Sequence, residues 1–380
     1  MNGLFSGHLH RALPARGWRR RGQPNGWLRG GLRVALGWIL MGSAVAAAQS
    51  TVPTHTEAAA DEDKPKPRPS DAFPLGGDVR LDNTVGIGTF APGESRRASY
   101  DLGLFLRAGV SLGHGMTLGA IQIVTKNLVT NADSGASRPY DTLLSDTILS
   151  FGWSPLTLDA DGQPAPLLLP GGIKAGVSLT ATLPTSRASQ FQTRLVALTP
   201  GISLSKVDLL GGKLALAYSF GFTKNLNRET TAVLGADSFP SLARPDGPEL
   251  VAGQTEISTG TLNTSFAFRN IVALTVLPTP RLAIGVTWVL FNNFKYNVFP
   301  ADAYTSPFAK PGRGRSDLEW GLVSIAYTID PQRVWTVSAL AWTAAAPWSA
   351  DNRTLRFPFF DLRSGADNYT SLGLSLNRAF

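Results

Sequence analysis

Beyond residue 78 the chain is written in a period of two. In GGIKAGVSLTATLP the residues Ile173, Ala175, Val177, Leu179, Ala181 and Leu183 fall on one face, and Lys174, Gly176, Ser178, Thr180 and Thr182 on the other. KLALAYSFGFTKN sets Leu214, Leu216, Tyr218, Phe220 and Phe222 against Ala215, Ala217, Ser219, Gly221 and Thr223. ASYDLGLFLRAGVSL and RLAIGVTWVLFNNFKY alternate in the same way. One apolar face at this period means β-strands. Runs of about 10 to 15 residues suit a tilted strand that crosses a membrane.

The links between these runs come in two lengths. Short turns are predicted at Gly113-His114-Gly115, Leu210-Gly211-Gly212, Pro278-Thr279-Pro280 and Asp330-Pro331-Gln332. Longer polar stretches lie near 126–140, 184–190, 225–258, 298–314 and 347–366. Short turns on one side and long loops on the other are the habit of transmembrane barrels. The two kinds alternate once 154–172 is accepted as one long link on the short-turn side. The expected fold is therefore all-β: a transmembrane antiparallel β-barrel of about 12 strands, with both termini in the periplasm. Its strands are predicted near 79–90, 98–112, 115–125, 140–153, 172–183, 191–207, 212–224, 260–277, 281–297, 315–329, 333–345 and 367–380. A secreted β-sandwich or propeller would bury the apolar face instead. Aromatics near strand ends (Tyr100, Trp153, Phe222, Phe294, Tyr296, Trp320, Trp335 and Trp342) favour interfacial girdles.

The ends of the chain change the picture. Residues 1–48 hold seven arginines and no acid, then an apolar run closed by Ala46-Ala47-Ala48, the order of an export signal. Residues 49–77 carry Asp61-Glu62-Asp63 and the alternating prolines of KPKPRPS, and are expected to form an extended periplasmic tail. The barrel is assigned to 78–380. The whole chain has 35 Lys+Arg and 27 Asp+Glu; removing the seven signal arginines leaves 28 against 27. The basic character thus belongs to the signal, and the rest gives no electrostatic case for nucleic acid. Cysteine is absent, so thiolate chemistry has no place.

The final strand, YTSLGLSLNRAF, places Leu372, Leu374, Leu376 and Phe380 on one face. It resembles the C-terminal strand by which the barrel-assembly machinery recognises bacterial outer-membrane proteins, although Arg378 departs from that pattern. Localisation in the outer membrane, with its lipid as a partner, follows from the resemblance.

Enzymatic barrels of this membrane use a histidine base. Past the signal only His55 and His114 remain, one in the tail and one in a predicted turn. Neither suits a base at the outer rim, so a lipid-active enzyme is the least favoured reading. Asp159-Ala160-Asp161-Gly162 starts like a calcium loop but lacks its later glutamate, and no cofactor is implied.

By parity the inward faces are rich in Gly, Ala, Ser and Thr, with Asp101, Arg107, Asp146, Lys174, Arg269 and Glu319 as candidate pore-lining charges. Phe105, Ile148, Val289 and Phe291 are also expected inside. Small residues leave room in a lumen of this size. At one strand end, Leu183-Pro184-Thr185-Ser186-Arg187 and the following LVALTPGISLSK resemble the outer-membrane family linked to meta-pathway phenol degradation, with Ser186 in place of the usual glycine. The resemblance implies transport of aromatic compounds. The expected function is passive uptake of small solutes, hydrophobic or aromatic ones among them, with loop 225–258 as a gate. The alternative is a structural or surface-interaction barrel with a closed lumen.

Overall fold

The computed structural model describes residues 75–86, 99–129, 140, 142–158, 164–235, 256–298, 312–330, 332, 334–345, 347 and 370–380. The export signal, most of the proline-rich tail, and the Asp159–Gly162 stretch lie outside the described residues.

Twelve strands close into one antiparallel ring. They are β1 (Leu75–Gly86), β2 (Tyr100–Gly113), β3 (Met116–Val129), β4 (Thr147–Trp153), β5 (Ile173–Leu183) and β6 (Arg194–Leu209). The second half holds β7 (Leu214–Asn227), β8 (Thr264–Thr279), β9 (Leu282–Val298), β10 (Gly312–Thr328), β11 (Trp335–Ala345) and β12 (Ser371–Ala379). Each strand pairs with its neighbours in sequence, and β12 pairs with β1 to shut the ring. At that seam Gly77 N donates to Phe380 O at 3.1 Å and Phe380 N donates to Gly77 O at 3.0 Å. β1 opens at Leu75, three residues before the boundary at 78 read from the pattern. Gly76 and Gly77 carry no alternation signal, yet their backbone pairs with Gly109 and Ala108.

The outer and inner faces separate cleanly. The alternation of exposed apolar and covered side chains is clearest in β12, where Leu374 is 62% exposed and Ser375 3%. Closing the ring leaves no open sheet edge, and the outward apolar band needs a bilayer rather than water. The protein is a transmembrane barrel of the bacterial outer-membrane type.

The short turns fall where the glycines allow them. Gly113, His114 and Gly115 have φ of 82°, 51° and 76°, and Leu210, Gly211 and Gly212 have 50°, 67° and 80°. Gly115 is obligatory for a second reason: a Cβ there would stand 1.9 Å from the Ser154 carbonyl oxygen. The long link after β4 holds its own two-stranded ribbon, Leu156–Leu158 with Pro164–Pro166. At the opposite end a five-residue helix, α1 (Arg187–Phe191), joins β5 to β6. The β7–β8 connection starts and finishes as a ribbon, Thr231–Gly235 paired with Glu256–Leu262; the centre of the expected gate lies outside the described residues.

The predicted girdles are corrected at two positions. Trp320 and Trp342 stand on the inward parity, in line with Val289 and Leu322 across the ladder. The external aromatic cluster is built instead from Phe222, Phe266, Phe268 and Phe294, with Phe266 and Phe294 stacked at 4.8 Å.

Candidate solute pathway

Partners directly opposite in an antiparallel ladder share a face. Following the register around the ring therefore tells which residues look into the lumen.

On β1 and β2 the inward set is charged. Arg80 forms an ion pair with Asp82 at 2.9 Å, and its guanidinium lies 3.9 Å from the centroid of the Phe105 ring. Arg107 pairs with Asp78 on the neighbouring strand. Asp101 lies on the same face, opposite Thr84 and Asn127, and is buried. Asp78, Arg80 and Asp82 went unnoticed as candidates, although alternation with Val79 and Leu81 could have revealed them.

Asp146 holds the long-loop rim of the next wall. The ladder between β3 and the segment before β4 slips by one residue: Val124 faces Leu144, whereas Ile121 faces Ile148. Such a bulge re-aims a side chain. Here it turns Asp146 inward beside Ile148, where it is 1% exposed. Its carboxylate accepts from Ser186 N at 3.0 Å, from Arg194 Nη1 at 3.0 Å and from the Ser189 hydroxyl. Ser186 also caps α1, accepting from Ser189 N at 3.1 Å. Thr185 pins the bulge by accepting from Thr147 N at 2.8 Å and donating to Ser145 O at 2.8 Å. The strand-end motif around Thr185 and Ser186 thus clamps a short helix to the rim. Gln192 O, just past the helix, accepts from Asn227 at 2.7 Å and Asn263 at 2.8 Å, which ties the same point to β7 and β8.

Lys174 faces inward near the short-turn end, opposite Ser205. Arg269 faces inward from β8, between Gly221 and Phe291. Around it the wall is apolar: Ile271, Val289, Phe291, Trp320 and Ala344 form one buried cluster. Phe291 and Trp320 meet edge to face at 4.8 Å.

The expected inward position of Glu319 is corrected. It stands opposite Leu290 and Ala345, one residue out of step with the inward Trp320, and so belongs to the outer wall. There it is buried and accepts from Trp288 Nε1 at 3.4 Å. Along β10 Leu318, Trp320 and Leu322 point in while Val323, Ile325 and Tyr327 point out, so apolarity marks both faces and the parity cannot be read from it. An open apolar groove of about 480 Å³, lined by Val323, Ile325, Ala339, Ala341, Leu372 and Leu374, also lies on this outer wall and is no part of the lumen.

No family model and no curated protein matches the chain. Many solved structures resemble it, three of them as follows. An outer membrane channel from Pseudomonas putida F1 is 10% identical, with 83% of this chain and 100% of that one covered and a TM-score of 0.47. The NanC porin is 10% identical over 80% of this chain and 98% of its own, with a TM-score of 0.40. The Pseudomonas putida toluene transporter TodX is 12% identical over 80% and 88%, with a TM-score of 0.30.

Proposed function

We propose that this barrel is a passive outer-membrane channel for small solutes, hydrophobic and aromatic ones among them. The observation that carries the reading is the inward face itself. Glycine, alanine, serine and threonine dominate it on β5 to β7, where bulky side chains would be expected in a wall that only braces itself. Asp101, Arg107, Lys174 and Arg269 are the charges of the inward face along a solute's path, and Asp146, 1% exposed within its clamp, acts on that path only through the rim it holds. The short-turn end, with both strand termini, faces the periplasm, and the long-loop end faces outward. Leu372, Leu374, Leu376 and Phe380 supply the strand read by the assembly machinery. The likeness of Leu183–Arg187 to the meta-pathway outer-membrane family is consistent with aromatic cargo.

Planar-bilayer recording on the purified protein tests this. Stable conductance steps are expected; a protein that inserts but stays silent would overturn the channel. The second reading, a closed barrel with a surface role, is favoured by one feature: the clamp that fixes α1 at the rim. Loosening that clamp by Asp146→Asn should then open a silent barrel.

A further inference from the structure

The apolar wall holds a cation with nothing to answer it. Arg80, Arg107 and Arg194 each have an acidic partner, Asp82, Asp78 and Asp146 respectively. Arg269 has none among the described residues, and its Nε is buried without a hydrogen-bond partner. A guanidinium taken out of bulk water without an anion is costly, so such a group is a strong attractor for one. The backbone makes room for it. Gly221 stands opposite on β7, and a Cβ there would be 3.5 Å from Nη2 and 3.6 Å from Nε, so the guanidinium lies across a bare stretch of wall.

What surrounds the cation narrows the ligand. Phe291 is its direct cross-strand neighbour on β9, and Ile271 is the next inward residue on its own strand. Trp320 packs on Phe291, and its indole N–H is buried with no acceptor. Orphaned buried donors are uncommon and call for an explanation. The one acid of the lumen that also lacks an ion pair among the described residues, Asp101, is on β2, six strands away around the ring and hence on the far wall. Phe291 and Trp320 are only 3% and 4% exposed, so a ligand that reaches Arg269 must part this cluster, and it then meets one positive fork, one neutral donor and an apolar wall.

We infer that Arg269, Phe291 and Trp320 form a lumen site for small organic anions with a carboxylate on an apolar, preferably aromatic, body. The carboxylate takes the guanidinium fork, and the ring lies against Phe291. This rests on the channel reading above, which is what would make the site part of a solute's path.

Benzoate, benzyl alcohol and acetate separate the contributions, since the second lacks the charge and the third lacks the ring. Calorimetry on the full protein in detergent should show benzoate binding at least about tenfold tighter than either. Arg269→Gln should abolish the preference over benzyl alcohol, and Phe291→Ala the preference over acetate. Should the Gln variant fail to assemble, Arg269→Lys keeps the charge without the fork and should retain a reduced preference. Equal binding of benzoate and benzyl alcohol, or benzoate binding undiminished in Arg269→Gln, would overturn the site. Conductance of the same preparation distinguishes the two failures. Benzoate that binds a silent protein leaves the site and removes the pathway; a conducting protein indifferent to the three probes does the reverse.

Discussion

The two walls of the lumen handle charge in opposite ways. From β1 to β4, acids and arginines are interleaved, so that Arg80, Arg107 and Asp146 each find a partner on the same wall or at its rim. From β8 to β11 the inward face includes the cluster of Ile271, Val289, Phe291 and Trp320, and Arg269 stands beside it with no ion pair among the described residues. Paired charges brace a wall and leave little field in the lumen; an unpaired one projects its field into it. The first wall is therefore braced from within, and the second is the one on which the proposed solute contact rests.

The sharpest way to break the braced wall is Asp146→Ala. Arg194 would be left buried with no counter-charge, and α1 would lose both Ser186 N and the Ser189 hydroxyl as tethers. A loss of about 3–5 kcal/mol is expected in denaturant unfolding. On the apolar wall, Phe291→Ala should cost about 3 kcal/mol by the same measurement, through the cavity left beside Trp320. If the two walls differ as argued, only the second variant should also change solute preference in conductance. A smaller effect, below about 1 kcal/mol, is expected for Arg107→Gln, because this arginine side chain is 36% exposed and its pair is screened. The double variant with Asp78→Asn should then be no worse than the single one.

The least effect belongs to a site outside both walls. In the β10–β11 turn, burial raises the Asp330 carboxyl, but the N–H groups of Trp335 and Val334 and the nearby Arg281 outweigh it and hold it below its ordinary value. A depressed carboxyl stabilises the fold above its unfolded-state value and loses that contribution as pH falls through its folded value. The gap in unfolding midpoint between the natural protein and Asp330→Asn should thus be present at neutral pH and close in acid.

Much of this architecture was legible because a barrel wall repeats one local rule. Wherever one face is apolar and the other small or polar, as in Ile173–Leu183 and Leu214–Asn227, strand and parity follow from the residues alone. The rule fails where the lumen is itself apolar. β10 carries leucine and tryptophan inside and valine, isoleucine and tyrosine outside, which hid the inward place of Trp320 and the outward place of Glu319. The pairing of Asp146 with Arg194 was invisible for another reason. It joins residues 48 apart through a one-residue slip in the ladder, and no local pattern encodes a slip. Arg269 was legible as an inward charge, but its isolation depends on where every other charge in the ring ended up.

The seam between β12 and β1 carries one more consequence. Gly77 and Phe380 exchange hydrogen bonds, and the Phe380 ring comes so near that a Cβ on Gly77 would stand 2.7 Å from its Cζ. Nothing in the finished ring marks this junction as a beginning or an end, so the protein is a candidate for circular permutation. A short linker could join Phe380 to Leu75, with new ends opened between Gly235 and Glu256. Such a molecule would keep every rung of the ladder while denying Phe380 a free terminus. Whether it still reaches the membrane would separate the information needed to hold the barrel from the information needed to deliver it.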